Sequence, residues 1–335
     1  MNLVFRYLYN KYRPEGPRWL PLAAVYYLTY NCPLRCAYCS DGTGAPYYSL
    51  TEEALPLSEV KRILTAIRKS CPTLILTGGE PACHPEFVEV LGFVKELDFD
   101  EVILTTKGDS LEGLDDALNG CVTRLVLSVD TLDPGKAAEL CGGSVLEKTL
   151  HRIKYLSTLP GRRFEIYVSS VVGTFNLDEL PQVSEFAEKA GVWYAAQPQL
   201  RGVKAPAGLL SDGRYRGFYD SLIRKKRAGA RIFGPVRYLE LLRDFEKFEC
   251  YPFTMLVVAP GGEVFYPCLE IGHKLGRIQD APDADALRRE GRLRYGSKPL
   301  CDNRCHSACA AEYAVFMRHP ECAIKEALSS ALTSR

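Results

Sequence analysis

Six short runs of β-branched and other apolar residues alternate with segments of helical apolar spacing through the first 200 residues of this 335-residue chain. The runs cover 23–29, 73–77, 102–106, 124–129, 164–172 and 192–196, and the helical segments 57–70, 85–97, 111–118, 145–156 and 178–190. In 57–70, for example, Val60, Ile63, Leu64 and Ile67 make one apolar stripe. Strands separated by helices join in parallel, and their crossovers are right-handed. Six such units are too few for a closed eight-unit barrel. The expected fold is therefore α/β, a partial (β/α)6 TIM-like barrel with an open side. Working residues in such sheets gather at the carboxyl ends of the strands.

Four polar motifs fall at those ends. The first run leads into Cys32-x3-Cys36-x2-Cys39, and the second into Gly78-Gly79-Glu80-Pro81. The third ends in Thr105-Thr106-Lys107-Gly108 and the fourth in Ser128-Val129-Asp130. Three thiols on one loop can ligate three irons of a four-iron cluster and leave the fourth iron open. The spacing alone also admits a zinc site.

Thirteen cysteines form an odd, large set. The expected compartment is the cytoplasm, because the apolar run 19–30 is too short to span a bilayer and leads into cysteines and Arg35 rather than a small-residue cleavage site. With 42 basic and 41 acidic residues the net charge is +1, which gives no strong signal for nucleic acid. Residues 1–13 read as a helix packed on the barrel end, with a membrane-surface helix as the weaker alternative. Beyond residue 204 the pattern changes. Charged helices over 214–227 and 236–248 precede a hairpin over 255–259 and 263–266, turning at Pro260-Gly261-Gly262. A cysteine-rich tail follows. The expected divisions are 1–20 (extension), 21–204 (barrel), 205–249 (helical bridge) and 250–327 (cysteine-rich domain).

The cysteine loop, with Tyr38 before its last thiol, resembles the cluster loop of the radical S-adenosylmethionine (SAM) superfamily, and Gly78-Gly79-Glu80-Pro81 resembles that family's methionine-binding turn. The resemblance implies a [4Fe-4S] cluster on Cys32, Cys36 and Cys39, with SAM chelating the open iron. Gly78 and Gly79, lacking Cβ atoms, would let the backbone approach SAM, and Glu80 would accept hydrogen bonds from its amino group. Tyr38, Pro81, Thr105, Ser128, Asp130 and Asn176 are further SAM-contact candidates, though Ser128, Asp130 and Asn176 read equally well as helix caps. Lys107 departs from the family's Thr-Asn-Gly pattern. Lys107, Asp130 and Arg201 are catalytic candidates; Gln197 and Arg201, just past the sixth run, read as surface positions, with the pocket wall as the alternative.

The tail, Cys250-x17-Cys268 then Cys301-x3-Cys305-x3-Cys309-x12-Cys322, resembles the auxiliary-cluster domain called SPASM or its shorter form, Twitch. Its six thiols comfortably hold one auxiliary cluster, expected on Cys250, Cys268, Cys309 and one more. A second would need Asp302, His306 or the substrate. Structural zinc remains the alternative. Cys71, Cys83, Cys121 and Cys141 read as small buried apolar residues.

The function this implies is reductive cleavage of SAM to a 5′-deoxyadenosyl radical that abstracts hydrogen from a substrate carbon. The auxiliary centre would assist oxidation, crosslinking or rearrangement. Substrates would be a peptide or protein side chain or a small molecule such as a sugar, lipid or cofactor precursor, and a flavodoxin or ferredoxin would supply electrons. No peptide-recognition domain is expected before the barrel. A non-catalytic iron–sulfur or zinc scaffold or electron carrier, and an RNA-modifying member of the family, are the other readings.

Overall fold

The computed structural model describes residues 3–12, 20–40, 45–50, 53–251, 254–296 and 305–322. A helix, α1 (Leu3–Tyr12), precedes five strand–helix units: β1 (Ala23–Tyr27) and α2 (Leu57–Ser70); β2 (Thr73–Thr77) and α3 (Phe87–Leu97); β3 (Glu101–Thr106) and α4 (Asp115–Cys121); β4 (Arg124–Ser128) with α5 (Pro134–Cys141) and α6 (Leu146–Ser157); β5 (Glu165–Val172) and α7 (Leu180–Lys189). Then follow β6 (Trp193–Pro198), α8 (Ala207–Ser211), α9 (Gly213–Arg227), α10 (Val236–Asp244), β7 (Met255–Val258), β8 (Glu263–Tyr266), β9 (His273–Arg277), α11 (Ala284–Tyr295) and α12 (Ala308–Arg318).

All six expected strands form and pair in parallel. The sheet is open, in the order β6-β5-β4-β3-β2-β1-β7-β8-β9, and so matches the expected partial barrel. Period-two alternation sets its two faces. Leu74, Leu76, Val102, Leu104, Leu125 and Leu127 are buried against the helix layer, where Val60, Ile63, Leu64 and Ile67 of α2 meet them. The alternate residues, among them Val25, Tyr27, Thr77, Thr105, Ser128 and Val171, face the lumen and stay half-buried. The apolar core thus lies outside the strands, and the lumen is left as a recess.

Several features differ from the expectation, among them α4, expected over 111–118 and formed over Asp115–Cys121. The hairpin does not stand apart: β7 pairs in parallel with β1, from Ala23↔Met255 to Tyr26↔Val258, and carries β8 and β9 as antiparallel additions. The hairpin therefore shares the barrel's own sheet. Helix α5 was not expected, because eight residues give little periodicity, although its caps are in the sequence. Asp133 accepts from Lys136 N at 2.7 Å, Pro134 starts the helix, and Gly142 closes it at φ 67°. Helix α10 ends at Asp244, four residues earlier than expected, because Phe245 turns to a left-handed φ of 48°.

At the amino end of the strands, α1 is bound to the barrel. Buried Arg6 donates to Pro21 O at 3.0 Å and Ser70 O at 2.6 Å, and buried Asn10 donates to Leu20 O at 2.6 Å. These contacts fit a helix packed on the barrel end; Leu8 and Tyr12 remain exposed. Among the described residues, no helix is long and apolar enough to cross a membrane.

Candidate functional site

The cysteine loop leaves β1 at the carboxyl end of the sheet, beside the glycine turn that leaves β2. The two are joined backbone to backbone: Gly79 N donates to Thr29 O at 2.7 Å and Glu80 N to Asn31 O at 2.9 Å. The approach is so close that a Cβ on Gly78 would lie 2.4 Å from Thr29 O, and one on Gly79 2.5 Å from Asn31 O. These glycines thus admit the cysteine loop itself, whereas the sequence suggested room for a ligand.

Glu80 turns inward and is almost fully buried. Its carboxylate accepts from Thr106 Oγ1 at 2.7 Å, Lys107 N at 2.9 Å and Ala82 N at 3.2 Å. Burial raises its pKa above the ordinary value, and these three donors pull partly against that shift. A carboxylate with two oxygens has about four acceptor positions, so one is left for a further donor such as an amino group. Pro81 is buried at the start of the following short 3₁₀ turn.

Asp130 is the second hub. It accepts from Val171 N at 2.8 Å, from Lys107 Nζ at 3.3 Å and from the Tyr38 hydroxyl. Tyr38 lies in the loop between Cys36 and Cys39, and its ring stacks on Phe175 with centroids 5.5 Å apart. Asp130 therefore ties the ends of β3, β4 and β5 to the cysteine loop. Lys107 also donates to Ser128 O at 3.3 Å, and its pair with Asp130 is enclosed, with side chains 13% and 3% exposed. Burial opposes the charge on Lys107, but Asp130, with Cys141 and Cys36, more than compensates, so the ammonium is held above its ordinary pKa. Asn176 is buried and donates to Asp130 O and Val171 O, both at 2.9 Å, while accepting from Gly173 N at 3.0 Å. Its side chain ties the ends of β4 and β5 together. Thr105 and Ser128 line the lumen half-buried.

Helix α5 supplies a part the sequence concealed. Its last carbonyls hold the cysteine loop: Arg35 N donates to Cys141 O at 2.7 Å and Ala37 N to Leu140 O at 3.0 Å. Cys141, expected as an inert buried thiol, is buried but receives a hydrogen bond from Cys36 and lies beside the Lys107 ammonium. Both hold it below the ordinary thiol pKa against the effect of burial. Cys32, Cys36 and Cys39 are all half-buried. Burial pushes the Cys39 thiol up to about 11 and raises Cys32, while Cys36 is raised by its bond to Cys141 and by burial. Lys107, joined by Arg35 at Cys32, offsets these effects only in part, and sulfur donors suit iron–sulfur chemistry.

A cavity of about 350 Å³ opens into the lumen. It is lined by Tyr38, Ser40, Val25, Tyr27, Val171 and Gln197 together with Cys250, Cys268, Glu270 and His306. A neighbouring recess holds Cys36, Cys39 and Arg201, whose side chain is exposed. Burial and then the Glu270 carboxylate raise the Cys268 thiol, with lesser contributions from Cys250 and Cys305, so these three thiols are electrostatic neighbours. Cys322 is half-buried just past α12, and Cys309 lies within that helix. Cys301, Asp302 and the side chain of Cys309 fall outside the described residues. Buried His306 packs edge-on against Phe245 at 5.0 Å, and its Nε2 lies 3.1 Å from Glu246 O. Among the described residues, no three His, Cys, Asp or Glu side chains converge on a single metal-ion position.

The model of the radical SAM superfamily matches residues 26–187. Two relatives are GTP 3′,8-cyclases. The one from Bradyrhizobium diazoefficiens is 33% identical over 64% of each chain, and the one from Limosilactobacillus fermentum 30% identical over 46% of each. The chain thus spans about half to two thirds of the length of these relatives. Among solved structures, Streptococcus suis SuiB bound to its precursor peptide SuiA overlays 84% of this chain and 66% of its own, with a TM-score of 0.63 at 18% identity. The structure of anSMEcpe with bound AdoMet overlays 90% of this chain and 98% of its own, with a TM-score of 0.59 at 15% identity. Such identities speak for the fold alone. Taken with the thiol loop and the glycine turn beside it, the family match makes this chain an enzyme of the radical SAM superfamily, whose members use a [4Fe-4S] cluster and SAM.

Proposed function

We propose that Cys32, Cys36 and Cys39 hold the SAM-cleaving cluster and that a substrate in the 350 Å³ cavity is oxidised, crosslinked or rearranged with help from an auxiliary iron–sulfur centre on the tail cysteines. When bound, cluster and SAM supply a carbon radical that abstracts hydrogen; a protein electron donor such as a flavodoxin or ferredoxin would provide the electron. The chain's residues do the rest. The fourth acceptor position of Glu80 takes the SAM amino group, Asp130 and Lys107 fix the strand ends around it, and Tyr38 sets the loop. The single observation carrying this reading is that one cavity runs from Tyr38 and Ser40, beside the recess that holds Cys36 and Cys39, to Cys250 and Cys268. That arrangement favours a two-centre enzyme over a scaffold, and the tail from Cys250 onward as its auxiliary segment.

Anaerobically reconstituted protein with dithionite and SAM is expected to release 5′-deoxyadenosine. Replacing Cys32, Cys36 and Cys39 together with Ala should abolish release and leave about four irons per chain for one auxiliary cluster, or about eight for two. SAM cleavage by the triple variant would overturn the site, and zinc in place of the remaining iron would overturn the auxiliary centre. A second reading, a guanine nucleotide as substrate, is favoured by the relatives named GTP 3′,8-cyclase.

A further inference from the structure

We infer that the substrate is a small molecule with an apolar or aromatic body and one ammonium group held by Glu270, and not an anionic nucleotide. The inference rests on the reading of this cavity as the substrate site. The walls are mainly apolar and aromatic: Val25 and Tyr27 of β1 pack in one cluster with Met255, Val257 and Leu269, and Val171 of β5 adds to the lining. The amides of Gln197 and Gln199 add neutral hydrogen-bonding groups. Among the described lining residues, Glu270 alone carries a fixed formal charge.

That carboxylate is half-buried and makes no hydrogen bond or ion pair with any described residue. It sits in a tight turn closed by Gly272 N donating to Cys268 O at 3.1 Å, so its backbone is already fixed before a ligand arrives. Its charge is felt at both Tyr27, on the lumen wall, and Cys268. A half-desolvated carboxylate without a partner gains most from a cation. A triphosphate needs the opposite surroundings, guanidinium forks or ammonium groups against its oxygens. Here it would meet Glu270, and thiolates would add to the repulsion if a cluster binds nearby. Arg201 does not change this balance, because it lines the adjoining recess beside Cys36 and Cys39. The volume, about 350 Å³, suits a small ligand.

The test is binding to anaerobically reconstituted holoenzyme by calorimetry, which requires no turnover. The probes are tyramine, its uncharged analogue 4-propylphenol, the anion 3-(4-hydroxyphenyl)propanoate, and GTP. Tyramine is expected to bind at least tenfold more tightly than each of the others. Glu270→Gln should erase that preference with iron content unchanged, and Glu270→Asp should keep part of it. Tighter binding of GTP or of the propanoate, no preference for tyramine, or an unaltered preference in Glu270→Gln would overturn the inference. Loss of tail iron in Glu270→Gln would also overturn it, by making Glu270 a cluster ligand. The SAM-cleavage assay is run separately on the same protein. Its failure strikes the proposed function, whereas a failed charge preference with SAM cleavage intact strikes only the substrate class.

Discussion

Glu80 illustrates how far a single residue departs from its sequence-level reading. Its motif marks it as a SAM contact, yet three of its acceptor positions serve the chain itself, binding Thr106, Lys107 and Ala82. Because burial raises its pKa above 4.5, the folded protein binds this proton more tightly than the unfolded chain. Its contribution to stability is therefore fully present below the unfolded pKa and is lost as pH rises through the higher folded value. Urea unfolding of the ligand-free protein from about pH 4 upward should show wild type losing stability relative to Glu80→Gln, with a plateau once the carboxyl has ionised. A difference independent of pH would contradict the burial argument. Gly78, Gly79 and Asn176 teach the same lesson. Residue type flagged each of them, but only their neighbours at Thr29, Asn31 and Asp130 show what each one does.

Among the elements, α5 matters most to the site and was the least legible. The thiol loop has no regular structure of its own. It is held by the carbonyls of Leu140 and Cys141 on one side and by the glycine turn on the other. Gly142 makes the first contact possible, with φ at 67° and a Cβ position 2.9 Å from that of Arg35. Gly142→Val forces a branched side chain into a left-handed conformation and into the loop, which should cost about 1–3 kcal/mol. The expected outcome is a lower urea midpoint together with reduced iron retention at Cys32, Cys36 and Cys39, read by iron analysis and the visible spectrum in a background lacking the tail cysteines. Full retention of iron there would show that α5 does not position the loop. The longer elements were readable because each repeats its apolar spacing over several turns or alternations. An eight-residue helix offers two turns, and only its Asp133, Pro134 and Gly142 caps mark it.

For the molecule as a whole, the decisive event is the pairing of β7 with β1. It brings Cys250, Cys268 and Glu270 to the wall of the cavity that Tyr38 and Ser40 also line, next to the recess of Cys36 and Cys39. It also covers an edge. Without residues from 250 onward, β1 would expose its ladder groups along with Tyr26, now buried, and an uncovered parallel edge invites aggregation. A chain ending at residue 249 is expected to elute from size exclusion as soluble aggregate or to precipitate, while the full chain stays dispersed. A well-behaved, cooperatively unfolding truncated barrel would show the two parts to be independent.

The strand–helix alternation, the thiol loop and the glycine turn are legible in the chain's local order, because periodicity and ligand chemistry are written within a few neighbouring residues. Only the tertiary contacts show that β7 completes the edge of β1, that α5 holds the cysteine loop, and that Glu270 reaches the cavity with no hydrogen bond or ion pair among the described residues. Each of these joins residues about a hundred or more positions apart, or leaves one of them unjoined. Local spacing carries no record of which distant edge, carbonyl or charge the folded chain will bring beside it.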